Sequence, residues 1–191
     1  MKKSLLLTSF FAVLTGVGGY MTIPMVPVPF TMQTFVVLMS GLLLGPKYGP
    51  LSQVLYVAMG LLGLPVFAGG RGGPHYLFSP TFGFLAGGIF MSWFTGWWSA
   101  RVSAEKKGAA RHYSLVCLAA SAALYIVALP CFYLNMNYVT GAEMSFLRAV
   151  QVAFLPFVLP DAVKAVAAGW LASRTIPLLR GAGLLNAKDR K

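Results

Sequence analysis

The sequence predicts an all-α membrane protein: a bundle of six transmembrane helices, both termini cytoplasmic, forming a single domain over residues 1–191. Three observations lead there. Hydrophobic residues make up 58% of the chain and charged residues only 10%, with a mean hydropathy of +0.74, against about 25% charged in a soluble domain. Six apolar runs alternate with short segments rich in Gly, Pro or charge. Twelve of the fifteen Lys and Arg residues fall on one side of a six-helix arrangement, as topology-setting cations do. The net charge of +11 would by itself admit nucleic acid. These cations instead sit at the ends of apolar runs, so the partner they indicate is the lipid membrane and not nucleic acid.

The first helix is expected over residues 4–21. Its Met-Lys-Lys start and apolar body resemble a secretory signal peptide, but no small-x-small cleavage site is clear near Gly18–Tyr20 and five apolar runs follow. Ser4, Thr8, Ala12 and Gly16 recur every four residues. Such a small-residue strip lets another helix approach closely, and it suits either a docking partner or tight packing within the chain. Residues 22–34 hold Pro24, Pro27 and Pro29 and no charge. They are expected to form an outer loop that folds back over the bundle, with Gln33 its only long, strongly polar side chain. Helices two and three are expected over 35–45 and 50–64, joined by a tight Gly45–Pro50 turn.

Residues 64–84 are glycine-rich, with Gly69, Gly70, Gly72 and Gly73 around Arg71. Such a loop exposes backbone N–H groups and tolerates positive φ, so it can wrap a small ligand; a flexible connector looks alike. Helix four is expected over 81–98, with Trp93, Trp97 and Trp98 near its end, where aromatic belts lie. A basic loop from Arg101 to His112 precedes helix five at 113–134, and a polar outer loop follows from Asn135 to Glu143. The sixth run, 145–173, is about 43 Å long if helical throughout and spans even when kinked. Arg174–Lys191 reads as a basic tail.

Lys2, Lys3, Lys47, Arg101, Lys106, Lys107, Arg111, Arg174, Arg180, Lys188, Arg190 and Lys191 mark the inner side, leaving Arg71, Arg148 and Lys164 elsewhere. Asp161 and Lys164 stand three apart inside the last apolar run, on one helical face. Charges in such a run are expensive and mark ligand or ion paths; the bland alternative is that the two only pair with each other. Pro156 and Pro160 lack N–H groups, so the carbonyls of Val152 and Pro156 lose helical partners. A broken helix is tolerated in a membrane where it lines a cavity. Asp161 lies about 20 Å and Lys164 about 15 Å above the inner boundary, near the middle of a core of about 30 Å.

Chemistry of other kinds finds little support. Cys117 and Cys131 share no metal spacing, and His75 and His112 stand far apart, so no metal is expected. There is no Ser-His-Asp set and no phosphate loop. An intramembrane enzyme using Asp161 as acid or base lacks a second carboxylate or a nucleophile–base pair.

Four motifs in order carry a resemblance. They are Ile23-Pro24 with Pro27-Val28-Pro29-Phe30-Thr31-Met32-Gln33-Thr34; Gly41 to Gly49; Gly63-Leu64-Pro65-Val66-Phe67-Ala68-Gly69-Gly70 with Gly72-Gly73; and Pro156-Phe157 to Pro160-Asp161 with Lys164. Over most of its length the chain resembles the BioY family, the biotin-binding S components of energy-coupling factor transporters. It departs from the family pattern at Ser79-Pro80-Thr81-Phe82-Gly83-Phe84 and at Leu159-Pro160-Asp161. The resemblance implies a multi-pass protein of a prokaryotic cytoplasmic membrane that captures biotin outside. It implies as partners a transmembrane T component and ATPase subunits, or further copies of the chain, and no cofactor. An S component for another small vitamin is the alternative.

Biotin presents a carboxylate, a ureido group with two N–H donors and one acceptor, and an apolar bicycle. Asp161 is the expected acceptor for a ureido N–H and Lys164 or Arg71 the expected carboxylate partner. Gln33, Gly69 and Gly70 are expected polar contacts, Phe30, Phe67 and Tyr138 expected walls, and Ser4, Thr8, Ala12 and Gly16 the expected partner-docking strip.

Overall fold

The computed structural model of the chain describes residues 2–101 and 108–185. Lys106, Lys107, Lys188, Arg190 and Lys191, all placed on the inner side by the sequence, lie outside the described residues. The helices are α1 (Lys2–Tyr20), α2 (Gln33–Leu61), α3 (Phe82–Ser99), α4 (Ala109–Tyr138), α5 (Phe146–Ala153) and α6 (Leu155–Gly181). Between α1 and α2, strands β1 (Thr22–Ile23) and β2 (Phe30–Thr31) pair antiparallel, with Thr22 opposite Thr31. The proline-rich loop is thus a short ribbon folded back on itself, a small departure from the all-α expectation. A 3-10 helix at Pro74–Phe78 lies inside the glycine-rich segment.

Helix α2 contains the sharpest turn. Gly45 has φ 78° and ψ −172°, a left-handed-side conformation that a side chain resists. Pro46 follows and starts the next helical stretch with its φ already set. The chain reverses there: Gln53 Nε2 lies 3.1 Å from Ser40 Oγ, whereas thirteen residues of continuous helix would separate them by about 20 Å. The expected helices 35–45 and 50–64 are therefore two arms of one hairpin, and the turn is a single residue rather than the six of Gly45–Pro50. The first arm begins at Gln33, using the end of the proline loop.

Glycines set the spacing between neighbours. A Cβ on Gly96 of α3 would lie 2.5 Å from the Gly45 carbonyl carbon, and one on Gly41 would lie 2.4 Å from the Ser92 carbonyl oxygen. A Cβ on Gly169 of α6 would sit 2.3 Å from the Ser114 nitrogen of α4. Helices α2, α3, α4 and α6 pack in sequence and α6 returns to α2, closing a ring, while α1 lies against α2. Lys3 Nζ donates to Gly183 O (3.0 Å), so the start of α1 and the end of α6 meet. Among the described residues three helices, α1, α4 and α6, are long and apolar enough to cross a membrane alone.

Three boundaries differ from expectation. Helix α4 runs on through Asn135 and Asn137 to Tyr138, because Asn137 holds the chain beyond the helix: its Oδ1 accepts from Met144 N (2.8 Å) and its Nδ2 donates to Met144 O (3.0 Å). The last run breaks at Phe154 into α5 and α6, since Pro156 can donate no hydrogen bond back into α5 and is well placed in the first turn of α6. Helix α6 then continues past Arg174 and Pro177 to Gly181, so the expected basic tail begins as helix, over 174–181.

The small-residue strip of α1 turns inward. Ser4, Thr8, Ala12 and Gly16 are all buried within the chain, Ala12 at 0% exposure in a cluster with Tyr56, Val57, Phe67 and Tyr76. This corrects the expectation of a docking strip: close approach of backbones is used to seat α1 on α2. The exposed face of α1 carries Leu6, Phe10, Val13 and Val17 instead.

Candidate ligand-binding cavity

The helix ring borders about 780 Å³ of space not filled by atoms, a figure that includes the open mouth. Its walls are largely apolar: Val28, Val37, Leu85, Met91, Leu124 and Phe157, with Tyr56, Tyr76, Phe84 and Tyr125. Among the described residues Asp161 and Lys164 are its only charged lining residues.

The break before α6 places these two groups. With the helix restarting at Leu155, Phe157, Asp161 and Lys164 fall on one face at i, i+4 and i+7 and point into the ring. They are 5% and 6% exposed, and Lys164 Nζ stands 2.6 Å from Asp161 Oδ1. Lys164 spends its other two protons on Thr31 O (3.1 Å) and Thr34 Oγ1, and its ammonium lies 4.4 Å from the centre of the Phe30 ring. Thr34 Oγ1 in turn donates to Asp161 Oδ1 (3.3 Å). On the far side, Tyr125 of α4 donates to Asp161 Oδ2 at 2.6 Å. A carboxylate offers about four lone-pair positions; three are taken, and one remains for a ligand. The pair is therefore both things at once: an ion pair that makes burial tolerable, and a donor and acceptor side by side on a cavity wall.

A second polar group faces the same space. Gln33 Nε2 donates to the Tyr56 hydroxyl, and Tyr56 donates to Val66 O (3.2 Å). Tyr76 and Ser79 each share a hydrogen bond with Thr81 Oγ1 at 2.9 Å. The departing motif Ser79-Pro80-Thr81 thus becomes a hydroxyl cluster at the wall. Among the described residues no three His, Cys, Asp or Glu come together as a metal group.

Of the sequence-named residues, Asp161, Lys164 and Gln33 line the cavity. Phe30 touches it through Lys164. Phe67 is fully buried one layer back, its ring 5.6 Å from Tyr56 and 4.5 Å from Tyr76, so it backs the wall and does not line it. Gly69 and Gly70, both at φ 73°, form a tight turn closed by Phe67 N to Arg71 O (2.8 Å) and stand outside the lining. The glycine-rich segment is an ordered turn here, plugged by Phe67. Arg71 is exposed on that turn, three residues from the cavity-lining Ala68. Tyr138 is 82% exposed at the end of α4 and does not reach the cavity.

Tyr125, Thr34, Tyr56 and Gln53 line the cavity without having been singled out from the sequence. Gln53 had a signal, an amide in an apolar run. Tyr125 had none, because a tyrosine among Ala, Leu and Val reads as packing.

Comparison with known proteins follows the same line. A protein-family description, "BioY family", matches residues 1–181. The "Biotin transporter BioY" of Thermotoga maritima is 39% identical over 172 residues, covering 90% of this chain and 95% of that one. The "Probable biotin transporter BioY" of Lysinibacillus sphaericus is 35% identical over 179 residues, covering 94% and 89%. A crystal structure of "the S-component for biotin from an ECF-type ABC transporter" superposes with a TM-score of 0.77 over 91% of this chain and 90% of that one, at 24% identity, and shares the fold.

Proposed function

Because the chain belongs to the BioY family, we propose that its cavity is the biotin site of a membrane uptake protein. It is a transport protein, not an enzyme. The observation that carries the site is the Asp161–Lys164 pair, an acceptor and a donor 2.6 Å apart on an otherwise apolar wall. A urea edge is the complementary pattern, with N–H beside C=O. The remaining lone pair of Asp161 accepts a ureido N–H, and the Lys164 ammonium turns the proton it gives Thr34 Oγ1 onto the ureido carbonyl, in a charge-assisted bond. The bicycle packs on Phe84, Leu124 and Phe157. Among the described residues no second cation lines the cavity, so the carboxylate is assigned to Arg71, on the glycine turn that also supplies Ala68 to the wall. Gln33, Gly69 and Gly70 shape that end of the site.

In the membrane the two arms of α2 count as two helices, which with α1, α3, α4 and α6 gives six crossings. The meeting of Lys3 with Gly183 supports both termini on one side, and the cation distribution supports that side being cytoplasmic. With Asp161 above the midplane the cavity opens outward. The chain is then the substrate-capturing subunit of an energy-coupling factor transporter, and its T component and ATPases supply the work. Equilibrium binding of biotin to the purified protein in detergent, with the bound vitamin recovered unchanged, tests the reading. Absence of saturable binding overturns it.

A further inference from the structure

Gln53 is a buried amide on the cavity wall that the binding scheme above leaves unused. It lies on the second arm of α2, eight residues beyond the Gly45 turn, lines the cavity and is only 2% exposed. Its Nε2 is surrounded by three hydroxyl oxygens, Ser52 Oγ at 3.0 Å, Ser40 Oγ at 3.1 Å and Thr15 Oγ1 at 3.3 Å. Each hydroxyl has a single proton, and each gives it to a backbone carbonyl one turn back: Ser52 to Gly49 O (2.6 Å), Ser40 to Val37 O (2.7 Å) and Thr15 to Phe11 O (2.7 Å). All three are therefore acceptors towards Gln53. An amide reversed end for end would set its oxygen against three oxygens with no proton between them. The hydroxyls thus fix the amide with nitrogen inward and oxygen outward, and Ser92, 2.9 Å from Ser40, must donate to it.

The outward oxygen has no donor among the described residues, yet it is not one of the sealed polar atoms of the interior. The open space Gln53 borders is the cavity. Gln53 Oε1 is thus a preoriented acceptor held by α1, by both arms of α2 and, through Ser40, by α3. A buried acceptor so fixed discriminates strongly, since it is left unpaired by any ligand without a matching donor.

We propose that Gln53 is a specificity-determining residue whose Oε1 accepts the second ureido N–H of the ligand, opposite the N–H taken by Asp161. This rests on the biotin reading above. Asp161, Lys164 and Gln53 then meet the three hydrogen-bonding groups of a cyclic urea one for one, and the site selects an unsubstituted urea rather than any ring of similar size.

The test uses the two cyclic carbamate isomers of biotin, each with oxygen in place of one ureido N–H. The replacement hardly alters size but turns a donor into an acceptor. The wild-type protein should bind both isomers at least tenfold more weakly than biotin. Gln53→Met keeps the volume and removes the acceptor; it should weaken biotin about tenfold and reduce discrimination against one isomer to about twofold, leaving discrimination against the other intact. A merely structural role would weaken biotin and both carbamates by one common factor, and that result overturns the proposal. If Gln53→Met does not fold, the wild-type data still decide: a carbamate isomer bound as tightly as biotin shows that its N–H meets no acceptor. Discrimination against only one carbamate isomer, unchanged in Gln53→Met, sinks this inference alone; failure to bind biotin at all sinks the functional reading with it.

Discussion

Replacing Asp161 with Asn isolates the central pair. The carboxylate accepts from Lys164 at 2.6 Å, Thr34 at 3.3 Å and Tyr125 at 2.6 Å. These donors approach both oxygens. An asparagine has one acceptor oxygen and one NH2, so either Tyr125 or Lys164 faces a donor whichever way the amide turns. The ligand N–H also loses a charged acceptor, which is worth about 1.5–3 kcal/mol. The dissociation constant for biotin should therefore rise about 10- to 150-fold. The pair is 5% and 6% exposed, so little of this is screened, and the ratio of mutant to wild-type affinity should hold between low and high salt. Isothermal titration in detergent, with the thermal midpoint followed in parallel, measures both quantities. An unchanged affinity in a protein of unchanged midpoint would refute the assignment of Asp161 to the site.

Tyr125→Phe removes only the hydroxyl and keeps the ring's contacts with Phe84 and Phe154. Biotin affinity should fall, but less than for Asp161→Asn, and a larger loss would mean that Tyr125 meets the ligand itself. Ala12→Trp inserts a ring where exposure is 0% beside Tyr56 and Phe67; overpacking there should destabilise by at least about 1–3 kcal/mol. It should therefore lower the yield of folded monomer, and a well-folded biotin-binding variant defective only in assembly would return the strip to a docking role. Biotin should bind more tightly than its amide by about two- to fivefold, the scale of an exposed ion pair, and Arg71→Ala should abolish that preference. If the preference survives Arg71→Ala and vanishes in Lys164→Met, the carboxylate belongs to Lys164.

What the sequence disclosed follows from which physical signals are local. Apolar runs, terminal cations and prolines are local, and they located α1, α3, α4 and the broken last run. The carboxylate and ammonium at 161 and 164 were legible because charge in an apolar run has few uses. Pairing across the fold is not local. Nothing in the sequence of α4 says that Tyr125 reaches an aspartate 36 residues away, and the repeat at Ser4, Thr8, Ala12 and Gly16 specifies close approach without saying to what. The Gly45 hairpin was blurred for a related reason. Proline at 46 and 50 suggested a loop, whereas proline in a first helical turn supports the helix it begins.

The hairpin at Gly45 also constrains how the chain is built into a bilayer. Its arms run 33–44 and 46–61, about 18 and 24 Å long at 1.5 Å per residue. Each falls short of a hydrocarbon core of about 30 Å, and the first arm ends on a glycine whose carbonyl has no further helix to enter. Neither arm alone has the roughly 20 residues that a lone membrane-spanning helix needs. On the six-crossing arrangement proposed above the two arms enter the bilayer as one hairpin, with Ser40, Ser52 and Gln53 satisfying one another so that no bare amide meets lipid. Lengthening the turn at Gly45 with polar residues should therefore damage biogenesis before it damages transport: an early, all-or-none failure to reach the membrane, scored by protease protection of nascent chains.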